Sequence, residues 1–296
     1  MSAAKIINKQ KRKRKLLNRE EYIEQEFFFH SLRERMDDYA TQELLKMLVN
    51  EILNTTRLVM AVDFMATEMF HKGTISSAMA LLPHYFTPYQ AFIMAEAEKE
   101  EGRFDFRVGL EILEYLAKYY AQTAVEGERL PVGVKPVSAP GIFFYEIEAI
   151  SRNRLSYERG LDAMQYEPIF SPAFSKWTQT VRRQLGFVDL ASLIYVRSEY
   201  YLERGGDAAN NEMLFGRKEG QIALANRRKD MTFLFSALQR QLGYPKVPHT
   251  MYTESEETKI ILLQERVALL ETRIRLLEEE KQHGGINLTN FYKKEQ

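Results

Sequence analysis

Two side chains of metal-ligating type, Glu68 and His71, stand three residues apart, a spacing that puts both on one face of a helix. Di-iron helix bundles use Glu-x-x-His twice, with further acids facing inward. Here the motif occurs once. A histidine just ahead of Lys72-Gly73 also suits a helix C-terminus, where the dipole favours a cation. The expectation is a helix-end histidine, with no metal and no other cofactor. His30, His84, His249 and His283 sit in no ligand spacing.

The absence of cysteine removes disulfides, thiol nucleophiles and Cys-ligated zinc or iron–sulfur centres. No Gly-x-Ser-x-Gly turn offers a hydrolase serine, and neither Gly-x-Gly-x-x-Gly nor a P-loop occurs to hold phosphate. Glu146 and Glu148 adjoin the aromatic run Phe143-Phe144-Tyr145. Paired acids do acid–base work. Side chains two apart on a helix diverge, however, so both acids are expected in solvent. No catalytic residue stands out, and the chain reads as non-enzymatic, with an enzyme lacking a recognisable motif as an alternative.

Charge is the stronger signal. Formal net charge is zero, yet residues 1–19 hold eight of the 41 basic residues and no acid, leaving 33 against 41 acids in the remainder. The run Lys11-Arg12-Lys13-Arg14-Lys15 repels itself and has no local acid to pair with. It predicts a disordered tail over 1–17 that serves as an electrostatic arm for an anionic partner, either an acidic protein or a nucleic acid. A nucleic-acid-binding protein using this arm is a second alternative. Arg217-Lys218 and Arg227-Arg228-Lys229 form another basic region, and Arg182 and Arg183 could join it as one patch. Glu212, Glu219 and Asp230 interleave, and no aromatic stacking platform is evident, so a mixed charged surface is expected.

Near the end, 254–282 carries a heptad pattern. With Ile260 at position a, Val267 and Ile274 also fall at a, and Leu263, Leu270 and Leu277 fall at d. β-Branched residues at a with Leu at d favour two parallel strands. Arg266 would then meet Glu271 of a second chain, and Arg273 would meet Glu278. The seam closes at Lys281 after three heptads. Leu262, Leu269 and Leu276 form a second stripe at c, which a two-stranded coil leaves in water. The segment reads as a two-faced helix that makes the chain a homo-oligomer, a parallel dimer first. The rival reading is a terminal helix docked on its own body.

The elements between tail and coil are helical by pattern. Nine Pro and 15 Gly are few for 296 residues, and helix formers abound. Asn18 with Glu21 resembles a capping box, and the helix it starts runs to about Met36. Helices follow at about 41–53, 57–71 and 74–82, the third ending at Lys72-Gly73. Thr87-Pro88 is the clearest start, and a further helix covers about 104–122. The Pro/Gly-rich stretch 123–140 is a loop or a boundary between an N-terminal helical part, 18–122, and a C-terminal one, 141–245. The latter holds helices at about 142–154, 156–165, 173–185, 217–228 and 230–242. Residues 187–203 suggest one helix capped by Asp189, with a strand pair as an alternative. A frayed tail covers 283–296. No fixed repeat period is found.

The expectation is an all-α, irregular multi-helix body followed by a coiled-coil-like helix. Functionally it reads as a cytoplasmic scaffold or interaction protein that self-associates. No apolar run reaches the length of a membrane span.

Overall fold

The computed structural model describes residues 15–99, 104–123, 135–207 and 212–249. The heptad segment 254–282, with Ile260, Leu263, Val267, Leu270, Ile274 and Leu277, lies outside the described residues. So do Lys11, Arg12, Lys13 and Arg14 of the arm, the tail 283–296 and much of the Pro/Gly-rich stretch. The chain divides into two units, Met1–Thr250 and Met251–Gln296, and all the described residues belong to the first.

Thirteen helices and no strand make up the described residues. They are α1 Arg19–Arg35, α2 Thr41–Glu51, α3 Leu58–Lys72, α4 Ile75–Leu81, α5 Pro88–Ala97, α6 Phe106–Tyr120 and α7 Ala139–Arg152. Then come α8 Tyr157–Met164, α9 Pro172–Gln184, α10 Leu190–Tyr195, α11 Glu199–Glu203, α12 Arg217–Ala225 and α13 Met231–Leu242. No described helix is long and apolar enough to cross a membrane.

Local chemistry sets most boundaries. At α5, the Thr87 hydroxyl accepts from the Gln90 backbone N–H while the Gln90 side chain accepts from the Thr87 N–H, with Pro88 at the first helical position. α3 ends at Gly73, whose φ of 73° is left-handed backbone that glycine adopts without strain. Asn18 is different. It precedes α1 without a side-chain cap, its backbone carbonyl taking the Glu21 N–H, and the Glu21 side chain turns away to accept from the Arg57 backbone N–H and the Tyr85 hydroxyl. The expected single helix over 187–203 is two short ones, since Ser198 leaves the helix and caps α11 through Tyr201 N–H. The strand alternative reduces to an isolated bridge between Ser198 and Phe215.

One cluster of buried side chains runs through the unit. α1 packs most extensively along α6, and Phe28 and Phe29 are buried between neighbours. α7 is the interior element: every residue from Gly141 to Ile150 is buried. A helix apolar on all sides has no solvent face and must be surrounded. α6, α8 and α13 pack against it. Phe143 and Phe144 meet Phe174, Trp177 and Phe215 in a cluster of edge-on and tilted rings 4.8–5.9 Å apart.

Candidate functional site

Burial of α7 carries its acids inside. Glu146 and Glu148 are both fully buried, which overturns the expectation of solvated side chains. That expectation needed a water face on α7, and the helix has none. Glu148 is matched: its carboxylate accepts from Arg152 Nε at 2.6 Å and from the Tyr244 hydroxyl at 2.7 Å. Glu146 differs: no cation reaches its carboxyl among the described residues, and its hydrogen-bonding neighbour is another carboxyl.

What faces Glu146 is a second buried acid, Glu167, in the turn after α8. The Tyr120 hydroxyl, at the end of α6, donates to Glu167 Oε2 at 2.5 Å. Tyr22 of α1 stacks on the Tyr120 ring at 4.8 Å, and the Tyr89 hydroxyl of α5 donates to the Glu146 backbone carbonyl at 3.2 Å. Five elements thus converge on two carboxyls. Burial first, then the neighbouring Glu167 charge, pushes Glu146 well above the usual carboxylate range. Burial likewise holds the Tyr22, Tyr89 and Tyr120 hydroxyls protonated far above their ordinary value. In this arrangement the Glu146 side of the pair holds a proton more tightly than a solvated glutamate does, the Tyr120 and Tyr89 hydroxyls are donors, and the Tyr22 hydroxyl accepts from the Leu17 N–H.

Other buried acids, and the half-buried Glu98, do structural work of a different kind. Glu21 accepts from the Arg57 N–H, Glu24 from the Leu53 N–H, and Glu98 from the Ile75 and Ser76 N–H groups at the start of α4. Backbone donors ahead of and within the first turns of α3 and α4 thereby gain anionic partners from other helices. Glu96 sits between Lys99 and Arg159.

The surface offers a contrasting site. α9 ends in Arg182 and Arg183. The chain then turns at once, with Leu185 bridged to Val188 and the Phe187 and Val188 N–H groups both donating to the Gln184 carbonyl. Gly186 makes this turn possible, at a φ of 98°. Phe187 at the tip is 92% exposed. Beneath lies an open groove of about 730 Å³ between α8, the α9 turn, α10 and the start of α13. Leu161, Leu185, Leu190 and Met231 supply apolar lining, and Arg182 and Arg183 one wall. Arg182 is engaged by Asp162 at 2.6 Å. Asp189 accepts from the Ala191 and Arg228 backbone N–H groups. Arg183, Arg228 and Lys229 are exposed and have no carboxylate partner among the described residues.

The Arg228 backbone N–H on Asp189 brings residues 227–229 next to the turn after α9, and Asp162, Asp189 and Asp230 stand among the cations there. Arg217 is held apart from this corner in an ion pair with Glu203. The missing aromatic is Phe187, a lone residue after a glycine, which carries no periodic signal. Lys15, the described end of the arm, is exposed and lines a small recess with Tyr22, His84, Tyr85 and Tyr120. Glu68 pairs with Lys72, and His71 is exposed beside it. No cluster of three metal-ligating side chains occurs among the described residues.

No family model, no curated protein and no solved structure matches the chain.

Proposed function

We propose that this chain is a non-enzymatic helical interaction protein that works as a homo-oligomer in the cytoplasm and engages an anionic partner. The observation that carries the reading is the seam Ile260, Leu263, Val267, Leu270, Ile274 and Leu277, whose residue types sort as a parallel two-stranded coil sorts them. Support also comes from the body, where Arg183, Arg228 and Lys229 are exposed without a carboxylate partner among the described residues. Replacing Leu263 and Leu270 together by Lys in the full chain tests the seam by light scattering. The parent should have the mass of two chains of 34.7 kDa, and the variant that of one. An equal mass in the two proteins at micromolar concentration overturns assembly through this segment.

The Lys11–Lys15 run favours a second reading, nucleic-acid binding through the arm. Neutralising these five residues should abolish a salt-sensitive mobility shift of an oligonucleotide. A parent chain that shifts no oligonucleotide at low salt rules that reading out.

A further inference from the structure

We propose that Glu146 and Glu167 form a proton-operated latch: loss of the proton they share turns Glu167 and its turn outward and loosens the root of the N-terminal arm at residues 17–22. The latch depends neither on the heptads nor on the partner that the arm meets.

A carboxyl beside a carboxyl, with no cation at Glu146, is stable as an acid paired with an anion. As two buried anions in contact it is not. The two acids stand on unequal supports. Glu146 belongs to α7, where residues 141–150 are all buried, so it has no route to water. Glu167 belongs to a turn whose Tyr166, Pro168 and Ile169 are only half-buried. That turn is held by short-range backbone bonds, from the Glu167 N–H to the Met164 carbonyl and from the Phe170 N–H to the Glu167 carbonyl. Segments tied this locally open at lower cost than an enclosed helix. Pro168 also lines the recess that reaches Tyr22 and Tyr120, about 20 Å³ in volume and roomy enough for one water molecule. Glu167 is therefore the member that leaves, and the recess is where water enters.

The same recess joins the latch to the arm. Tyr120 donates to Glu167, Tyr22 lies nearly flat on the Tyr120 ring at an interplanar angle of 11°, and the Tyr22 hydroxyl accepts from the Leu17 N–H. Lys15 and Leu17 line the recess together with Pro168. When Glu167 withdraws, Tyr120 loses its acceptor and the stack on it loses its anchor. The other ionisable groups around Glu146 are Tyr89 of α5, Tyr120 of α6 and Tyr145 of α7 itself, all held protonated by burial. Glu111 and Glu114 of α6 act on Tyr145. Glu148 is taken by Arg152 and Tyr244, Glu96 of α5 by Lys99 and Arg159, and Glu158, Asp162 and Arg240 on α8 and α13 are exposed. Lys15 and His84 line the recess and stay in place in every variant below.

The test is amide hydrogen exchange read by mass spectrometry on the full chain, for the parent, Glu146→Gln and Tyr120→Phe. The pH series starts at the ordinary glutamate value of about 4.3 and rises to the pH at which the fold melts. Comparing the proteins at each pH removes the pH dependence of free amides. Relative to Glu146→Gln, parent exchange in residues 165–170 and 17–22 should climb on the order of tenfold per pH unit through the window in which the open turn releases the proton and the closed one keeps it. The ratio for α2 and α3, which carry none of these residues, should stay constant. Tyr120→Phe loosens the turn without removing the proton, so it should raise exchange and keep the parent's slope. A constant ratio of parent to Glu146→Gln in the turn overturns the latch. So does a rise shared equally by α2 and α3, which would place the linkage in global unfolding. A turn that opens while residues 17–22 stay protected overturns the coupling to the arm. If circular dichroism shows that Glu146→Gln does not fold, Glu146→Met removes the same titrating group at similar volume and takes its place.

Discussion

α7 and the turn after α9 treat the same two residue types in opposite ways. On α7, Phe143 is wholly buried and touches the rings of Phe144, Phe174 and Trp177, while Phe187 on the turn is almost wholly in water. On α7, Glu146 is buried with another carboxyl, Glu167, and no cation beside it, while Arg183 near the turn is solvated and has no carboxylate partner among the described residues. The difference teaches where each group can act. A buried unmatched acid responds to protons, because water cannot stabilise its charge. A solvated unmatched cation responds to a macromolecule that brings its own anions.

Substitutions at matched positions would break or sharpen this contrast. The largest effect should come from Phe143→Ala, which opens a cavity among packed rings and should cost about 3–5 kcal/mol in urea unfolding. Tyr120→Phe should cost about 1.5–3 kcal/mol by the same measurement, because it deletes the donor to the buried Glu167 carboxylate. Equal stability of that variant and the parent would mean that the Tyr120 bond does not support the buried pair.

The pH dependence originates in Glu146. Its folded-state affinity for a proton lies above the ordinary glutamate value of about 4.3, so the folded protein holds a proton that the unfolded chain releases. Stability from this group is complete below that value and declines as pH rises through the window up to the raised one, at about 1.4 kcal/mol per pH unit. Glu146→Gln keeps the shape and stays neutral, so it should flatten this part of the profile. A parent and variant with parallel profiles would mean the pair is not proton-linked. The smallest effect is expected from Phe187→Ser, within about 0.5 kcal/mol of the parent, since an exposed ring contributes little to folding.

Much of the fold was legible in the chain. Thr87-Pro88 and Lys72-Gly73 mark helix ends through bonds within a few residues, and those ends formed. The breakdowns occur where a distant group competes. Asn18 lost its capping box because Glu21 found Arg57 and Tyr85, 36 and 64 residues away. Glu146 lost its solvent because α6, α8 and α13 close around α7. A signal for this was present: Ile142, Phe143, Phe144, Tyr145, Ile147, Ala149 and Ile150 occupy every phase of the helix, which is the mark of an enclosed element. Glu167 and Phe187 had no such signal, being single residues in turns.

The helical class, the helix ends, the uneven charge and the heptad spacing were all readable from residue types, since each depends on neighbours within a turn or two of the chain. Which acid meets which was not. Glu146 beside Glu167, Tyr120 on Glu167, and Arg228 on Asp189 pair residues 21–47 positions apart. Such pairings arise from how amphipathic helices bury their faces together, and the burial that makes Glu146 hold a proton exists only once α7 is surrounded.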